Sequence, residues 1–170
     1  MPRLPAELSD VFARYIAGPM AVRSALDGTG PSTMSRAGRE GWSVRDVLVH
    51  LADAELMRGA RLRLILGSEG APELPAWEAD AWKRRLQYLW RSPEAALALY
   101  DALVFSNAEL LRQVDGRAFE RFGLLEGREV TVRELLERGA AHSEEHAAQI
   151  RALRAELGDA PGAEVRRGAG

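Results

Sequence analysis

The chain has 170 residues, of which 46% are hydrophobic and 28% are charged, a composition typical of one soluble globular domain. Its formal net charge of −2 gives no electrostatic footprint for a nucleic-acid partner. The absence of cysteine excludes disulfides, a catalytic thiol and thiolate metal ligands, so a metal ion would have to be held by histidine or carboxylate side chains.

The sequence also gives no sign of a membrane partner or of export. Its longest apolar run, AALALYDALVF, contains Asp101 and falls well short of the roughly 20 residues that a membrane-spanning helix needs. The N-terminal segment MPRLPAELSD lacks the basic and then apolar pattern of a signal peptide. We therefore expect a cytoplasmic protein.

Two long helices are predicted in the first half of the chain from apolar residues spaced three and four apart. The first covers roughly residues 8–26, and Gly18-Pro19 is expected to kink or split it. The second covers residues 44–66, with Gly67 as the glycine that caps its C-terminus. No segment of the chain shows the alternation that is typical of a strand.

The second half of the sequence predicts two more long helices after a long connection. This connection follows Gly67 and includes a short helix over residues 78–90. The third long helix begins at Ser92-Pro93-Glu94, which supplies an N-cap, an N1 proline and an acidic first turn. The fourth covers residues 132–157. We expect residues 1–157 to form one helical domain and residues 158–170 to form a mobile tail.

The second and fourth long helices begin with matching capping boxes, WSVRD and VTVRE. In each, a hydroxyl residue is followed three positions later by an acid. Counted from these caps, His50 lies seven positions on, and His142 and His146 lie eleven and fifteen positions on. At 100° per residue the three histidines fall within about a quarter turn of one another on the inward side of their helices.

Two interpretations of these histidines follow from the residues alone. Imidazole nitrogens bind zinc, nickel or copper, and a third histidine on a facing helix would complete a site with positions open to water or substrate. Alternatively, an H-x₃-H pair arises by chance and each ring is an ordinary core residue. The shared inward phase favours a metal site, since three buried imidazoles without a metal would each need a hydrogen-bond partner.

The stretches GREGWSVRDVLVHLADAELMRGARLRLIL, LPAW and GREVTVRELLERGAAHSEEHAAQI resemble the DinB/YfiT-like family of proposed metal-dependent enzymes. The resemblance covers roughly residues 8–157 and is most specific at the histidine of the second helix and the H-x₃-H followed by Gln-Ile on the fourth. It implies an all-α four-helix bundle with up-down-down-up topology, often dimeric, and a zinc or nickel site formed by His50, His142 and His146.

The resemblance also implies a range of activities. Characterised relatives include S-transferases and isomerases that use bacillithiol, mycothiol or glutathione, and other members are damage-inducible proteins. Ser143 stands where relatives often carry aspartate, so this chain departs from the family in the surroundings of the metal. Because the chain lacks cysteine, thiol chemistry here would require an external low-molecular-weight thiol such as bacillithiol.

Several other side chains are weaker candidates for roles at the site. Carboxylates near the histidines can orient an imidazole or act as a general base, arginine matches a carboxylate or phosphate, and a polar residue in an apolar seam binds a ligand or fixes helix register. The same residues have structural interpretations as solvated acids, ion-pair partners or core aromatics. They are Asp53, Glu145, Arg61, Gln149 and Asn107, with Trp77, Trp82, Tyr88 and Trp90 as possible walls of an opening.

We predict a metal-dependent enzyme that transfers a thiol to a small electrophile or hydrolyses a small molecule. The alternative is a non-catalytic stress-response helical dimer with a structural metal. The two differ in whether the metal has open coordination facing a solvent-connected cavity. A homodimer is expected in either case, because three of the four tryptophans lie within residues 77–90 and exceed what a four-helix core requires.

Overall fold

The computed structural model describes residues 6–159 as four long helices with short elements in their connections. The long helices are α1, α3, α5 and α6. The shorter elements are helices α2 and α4, a two-stranded hairpin and three 3₁₀ turns. Their bounds are α1 Ser9–Leu26, α2 Pro31–Ser35, α3 Val44–Gly67, α4 Ala79–Arg85, α5 Pro93–Gln113, β1 Phe122–Leu125, β2 Arg128–Thr131 and α6 Val132–Glu156, with 3₁₀ turns at Ala6–Leu8, Tyr88–Trp90 and Gly116–Glu120.

Both predicted capping boxes are present and fix where α3 and α6 begin. The Ser43 hydroxyl accepts a hydrogen bond from the Asp46 N–H at 3.2 Å, and the Asp46 carboxylate accepts one from the Ser43 N–H at 3.0 Å. Thr131 and Glu134 form the same reciprocal pair at 3.1 and 2.9 Å. These bonds satisfy N–H groups that the first helical turn leaves without partners.

Contacts along the helices establish the predicted up-down-down-up order. Helices α1 and α6 are parallel, because Gly18 meets Ser143 and, further along both, the Ala25 carbonyl accepts a hydrogen bond from Arg154 at 2.7 Å. A Cβ on Gly18 would lie only 2.6 Å from the Ser143 hydroxyl, so this close approach requires glycine. The connection between α3 and α5 is long because parallel neighbours need a crossover.

Helices α3 and α5 are the second parallel pair. The Leu89 carbonyl, just before α5, bonds to Arg45 at the start of α3, whereas Arg63 near the end of α3 bonds to Asn107 at 2.6 Å. Since α6 runs antiparallel to α3, residues that follow His50 on α3 lie beside residues that precede His142 on α6. The predicted all-α four-helix bundle is confirmed.

The hairpin was not expected, because no segment of the sequence shows the alternation that is typical of a strand. Phe122 pairs with Thr131 and Leu125 with Arg128, around a two-residue turn at Glu126 and Gly127, both with positive φ. Strands of four residues are too short to show a clear alternation, and Glu-Gly is not one of the strong hairpin signals. The hairpin leads directly into α6 and so helps to set its starting point.

Three helices also differ in detail from the sequence-based expectations. Helix α1 continues through Pro19 without a break. Gly67 is the last residue of α3, and the extended Ser68 caps it, so no left-handed glycine ends this helix. The predicted helix over 78–90 is divided into α4 and a 3₁₀ turn, because Gln87 adopts a left-handed conformation between them.

The described part of the chain ends in contact with the bundle. The Asp159 carboxylate accepts a hydrogen bond from the Gly30 N–H at 3.0 Å. Residues 160–170 of the predicted mobile tail lie outside the described residues. Within residues 6–159, no helix has the length and apolar character needed to cross a membrane.

Candidate metal centre

The three histidines converge between α3 and α6. The Nε2 atom of His142 lies 3.0 Å from the Nε2 atom of His50 and 3.0 Å from that of His146. One ring nitrogen from each of the three lies within 4.8 Å of the others. The matched capping boxes explain this convergence, because each fixes the rotational phase of its helix from a defined first turn.

The donor set fits a divalent ion. A hydrogen bond between two imidazole nitrogens needs a proton on one and a lone pair on the other, so a single Nε2 of His142 cannot satisfy both of its 3.0 Å neighbours. An ion bound tetrahedrally at 2.0–2.1 Å would separate its ligand atoms by about 3.3 Å, close to the 3.0 Å separations of His142 from the other two nitrogens. Three lone pairs directed at one cation therefore account for the arrangement better than hydrogen bonds do.

The Nδ1 atoms of His146 and His50 differ in their hydrogen bonding. His146 Nδ1 lies 2.6 Å from the Gln149 amide oxygen, so Nδ1–H donates to Gln149 and the lone pair remains on Nε2. The Nδ1 atom of His50 is buried and has no hydrogen-bond partner among residues 6–159. Gln149 therefore orients His146, as the carboxylates of many metal sites orient their histidine ligands.

Burial keeps the histidines neutral. The pKa of His142 is lowered to about 2, first by burial and then by the charges of His146, Arg58 and His50. The pKa of His50 is lowered to about 4 by burial, His146 and Arg58, and burial also lowers the pKa of His146. At neutral pH all three rings are free of the extra proton that would compete with a metal ion.

These shifts predict how the metal-free protein responds to acid. Each ring binds a proton more weakly in the folded chain than in the unfolded chain, where the histidine pKa is about 6.5. The histidine contribution to stability is therefore complete above about pH 6.5 and is lost as the pH falls below it.

We expect urea unfolding of the metal-free protein to show a falling free energy of unfolding between pH 6 and 5. In His142→Gln this loss should be smaller by about 1 kcal/mol. Equal losses in the two proteins would contradict the lowered pKa of His142.

Aromatic rings cover one side of the histidine cluster. Trp77 stacks on His50 with ring centroids 5.5 Å apart, and Trp42 meets the same ring edge-on at 5.6 Å. Trp82 packs against Trp77 at 4.9 Å. Of the four aromatics proposed as walls, Trp77 and Trp82 lie at the site, Tyr88 is buried against Asp53, and Trp90 is 79% exposed.

A cavity of about 330 Å³ opens beside His142. Its wall includes Trp77, three arginines and one acid. The volume is within the range of small-molecule sites, and the exposed side chains at its edge connect it to solvent. The charged residues of this wall are Arg58, Arg61, Arg138 and Glu145.

The weaker candidates separate into two groups. Glu145 and Arg61 line the cavity, although Arg61 binds the Pro75 carbonyl rather than an acid. Asp53 is buried and held by Tyr88 at 2.7 Å and by Arg91, so it ties the crossover to α3. Asn107 is completely buried and hydrogen-bonded to Glu55 and Arg63.

Ser143 is turned away from the three histidines. Its hydroxyl lies 2.7 Å from the Tyr100 hydroxyl and donates to the Gly139 carbonyl at 3.0 Å. In this chain, Gln149 supplies a polar partner to the cluster, while Ser143 fills the contact between α6 and the first and third long helices.

The sequence-based predictions did not include Arg58, Arg138 or Glu55, which is the buried partner of Arg58. The Glu55 carboxylate accepts hydrogen bonds from Arg58 Nε at 3.0 Å and from the Asn107 amide at 2.8 Å, and it also bonds to Tyr15. A usable signal existed, because Arg58 follows His50 by eight residues and Arg138 precedes His142 by four. Both spacings keep a side chain near the phase of the histidine on an α-helix.

Two relatives are similar in sequence to this chain over most of its length. A protein from Geobacillus kaustophilus is 31% identical over 156 residues, covering 89% of this chain and 86% of its own. YfiT from Bacillus subtilis is 29% identical over 143 residues, covering 82% and 80%. The names of both proteins propose metal-dependent hydrolase activity.

The fold comparison and the family model agree with these relatives. The solved structure of Bacillus subtilis YfiT aligns over 93% of both chains with a TM-score of 0.82 and 26% identity. It is described as a probable metal-dependent hydrolase with an unusual four-helix bundle topology. The family model for the DinB superfamily matches residues 14–150. The expected resemblance is thereby confirmed, and this chain belongs to the DinB superfamily.

Proposed function

We propose that this protein is a metal-dependent enzyme that acts on a small molecule. The observation that carries the proposal is that three neutral histidine nitrogens converge, and that the central one, His142, lines a cavity connected to solvent. A structural metal site is usually closed by four protein ligands, whereas a catalytic site retains an open position. Among residues 6–159 the cluster of possible ligands contains only His50, His142 and His146.

The roles of the surrounding residues follow from their positions. A divalent ion held here would lower the pKa of a bound water or thiol and so supply the nucleophile. His50, His142 and His146 would hold the ion without neutralising its charge, and Gln149 would fix the orientation of His146. Trp77 and Trp42 restrict water on the side of His50. Glu145, at the cavity wall, is the carboxylate best placed to accept a proton.

Two kinds of nucleophile lead to two related reactions. Hydrolysis is supported by the proposed activity in the names of the relatives. Transfer of an external thiol is supported by the arginines of the cavity wall, which match the carboxylates that low-molecular-weight thiols usually carry. Soft sulfur and imidazole ligands both suit zinc or nickel better than magnesium or calcium.

The reaction test uses protein loaded with zinc or nickel and the chelated protein as its control. One arm measures hydrolysis of a panel of esters and amides, and the other measures conjugation of chlorodinitrobenzene or monochlorobimane with bacillithiol, mycothiol or glutathione. We expect metal-dependent turnover in at least one arm. Conjugation without hydrolysis assigns a transferase, and the reverse assigns a hydrolase. No metal-dependent turnover in either arm would favour the non-catalytic alternative.

Chelation separates a catalytic metal from a structural one. The bundle has an extensive apolar core of its own, so it should not need an ion to fold. We expect chelation to lower the melting temperature modestly and to leave the helical circular dichroism largely unchanged. Complete unfolding on chelation would identify the metal as structural and contradict the catalytic proposal.

We also propose that the protein is a homodimer. Trp90 is 79% exposed and Phe105 is 70% exposed, and large apolar side chains at the surface are typical of interfaces. Two-fold dimers are the commonest symmetric assembly. Sedimentation velocity at micromolar concentration should give the mass of two chains, and a monomer at that concentration would contradict the proposal.

A further inference from the structure

The cavity beside His142 concentrates positive charge. Arg58, Arg61 and Arg138 all contribute to its wall, whereas Glu145 is its one acidic residue among those that the structure describes. Arg58 is 8% exposed, so a guanidinium group lies almost completely inside the protein next to the metal ligands. Burying a cation is costly unless it has a partner.

Existing contacts hold two of these arginines in place without using all of their donors. Glu55 accepts from Arg58 Nε at 3.0 Å, and this bond does not involve the two terminal nitrogens of Arg58. The Pro75 carbonyl accepts from Arg61 Nε and Nη2 at 3.1 and 2.7 Å, which leaves Nη1 out of the contact. Each guanidinium is therefore oriented in advance, as a binding site for a planar or tetrahedral anion requires.

Two of the three arginines have no ion-pair partner among the described residues. Among the ion pairs of residues 6–159, none includes Arg61 or Arg138. The pKa of Arg61 is lowered first by burial and then by Arg58 and Arg138, while Glu126 opposes this to a smaller extent. At Arg61 the repulsion from Arg58 and Arg138 exceeds the attraction of Glu126, and an added anion would relieve this repulsion.

The antiparallel arrangement of α3 and α6 places this charge at a defined distance from the histidines. Arg138 precedes His142 by one helical turn, which corresponds to about 6 Å along the α6 axis. On α3, Arg58 and Arg61 lie beyond His50 in the direction that runs beside the start of α6. The arginines therefore lie toward the end of the cavity nearest the start of α6, and His142 lies further along α6 in the same wall.

We infer that this cavity binds a carboxylate or phosphate group, so that the substrate is a small anion. In such a substrate, the group that reacts at the metal would lie about one helical turn from the negatively charged group. That the bound anion is a substrate rests on the proposed function. The anion site itself does not, because Arg58, Arg61 and Arg138 are present with or without a metal. Inorganic phosphate and succinate are probes of the two anion chemistries.

The experiment is isothermal titration calorimetry of phosphate and of succinate into chelated and dialysed protein, at constant ionic strength. Arg138→Gln is compared with Arg151→Gln, because both remove one exposed arginine from α6 and Arg151 lies outside the cavity wall. We expect at least one probe to bind, and Arg138→Gln to weaken it about tenfold, as loss of a hydrogen bond to a charged group implies. Arg151→Gln should bind within about twofold of the unchanged protein. Arg61→Gln provides a second test inside the cavity.

The outcomes distinguish the inference from the proposed function. Failure of both probes to bind, or equal weakening by Arg138→Gln and Arg151→Gln, would overturn the anion site even if metal-dependent turnover is found. Anion binding that depends on Arg138 would support the site even if no turnover is found. Tighter binding of phosphate than of succinate would point to phosphate-bearing molecules, and the reverse would point to carboxylates.

Discussion

Replacement of His142 with alanine should abolish stoichiometric metal binding. His142 would be the central ligand, because its Nε2 lies 3.0 Å from both of the other histidine nitrogens. Changes to residues that only support a metal ligand already reduce affinity about 10- to 100-fold, so loss of a ligand should reduce it by at least about 100-fold. Competition with a chromophoric chelator would measure the dissociation constant, and elemental analysis would measure the metal content.

Glu144→Gln is the control for this variant. Glu144 lies two residues along the same helix, is exposed, and pairs with Arg14 on the surface. Its replacement should leave metal affinity unchanged. Retention of one tightly bound ion by His142→Ala would contradict ligation by the three histidines, whereas loss of the ion from Glu144→Gln would indicate an effect of charge rather than of coordination.

Replacement of Arg58 with methionine should lower the free energy of unfolding far more than replacement of an exposed arginine. The side chains of Arg58 and Glu55 are only 10% and 3% exposed, and their ion pair at 3.0 Å is part of a network with Tyr15 and Asn107. Methionine would leave the Glu55 carboxylate buried without its cation. Breaking a buried pair in this way typically costs about 3–5 kcal/mol. Urea denaturation would measure the change in the free energy of unfolding.

Arg14→Met is the matched control for stability. Arg14 also forms a carboxylate pair, at 2.6 Å with Glu144, but their side chains are 53% and 45% exposed. An exposed pair contributes only about 0–1 kcal/mol, so this variant should remain close to the unchanged protein. Similar losses of unfolding free energy in Arg14→Met and Arg58→Met would contradict the claim that burial makes the Arg58–Glu55 pair more important for stability than an exposed pair.

The parts of the fold that sequence could predict are those determined by local pattern. The caps at Ser43 and Thr131 placed the starts of α3 and α6, and these starts set the phase that brings the histidines together. Ser92-Pro93 marked the start of α5 in the same way. Such signals are readable because cap hydrogen bonds and helical periodicity involve residues only a few positions apart.

The parts that sequence could not predict depend on distant partners. Asp53 and Glu55 look like surface acids on a helix, and they are buried because Tyr88, Arg91, Tyr15 and Asn107 come to them from other elements. The arginine wall of the cavity likewise needs α3 and α6 to pack antiparallel. Periodicity assigns a residue to a face of its helix, but it does not specify which side chain of another helix meets that face.

X-ray absorption spectroscopy of the protein loaded with zinc would test the central claim most directly, since it reports the ligands and their distances. We predict three imidazole nitrogens at about 2.0–2.1 Å together with at least one non-protein oxygen. Addition of a low-molecular-weight thiol should replace that oxygen with sulfur at about 2.3 Å if the open position accepts a thiol. Fewer than three imidazoles, or a closed shell of four protein ligands, would contradict a catalytic three-histidine centre.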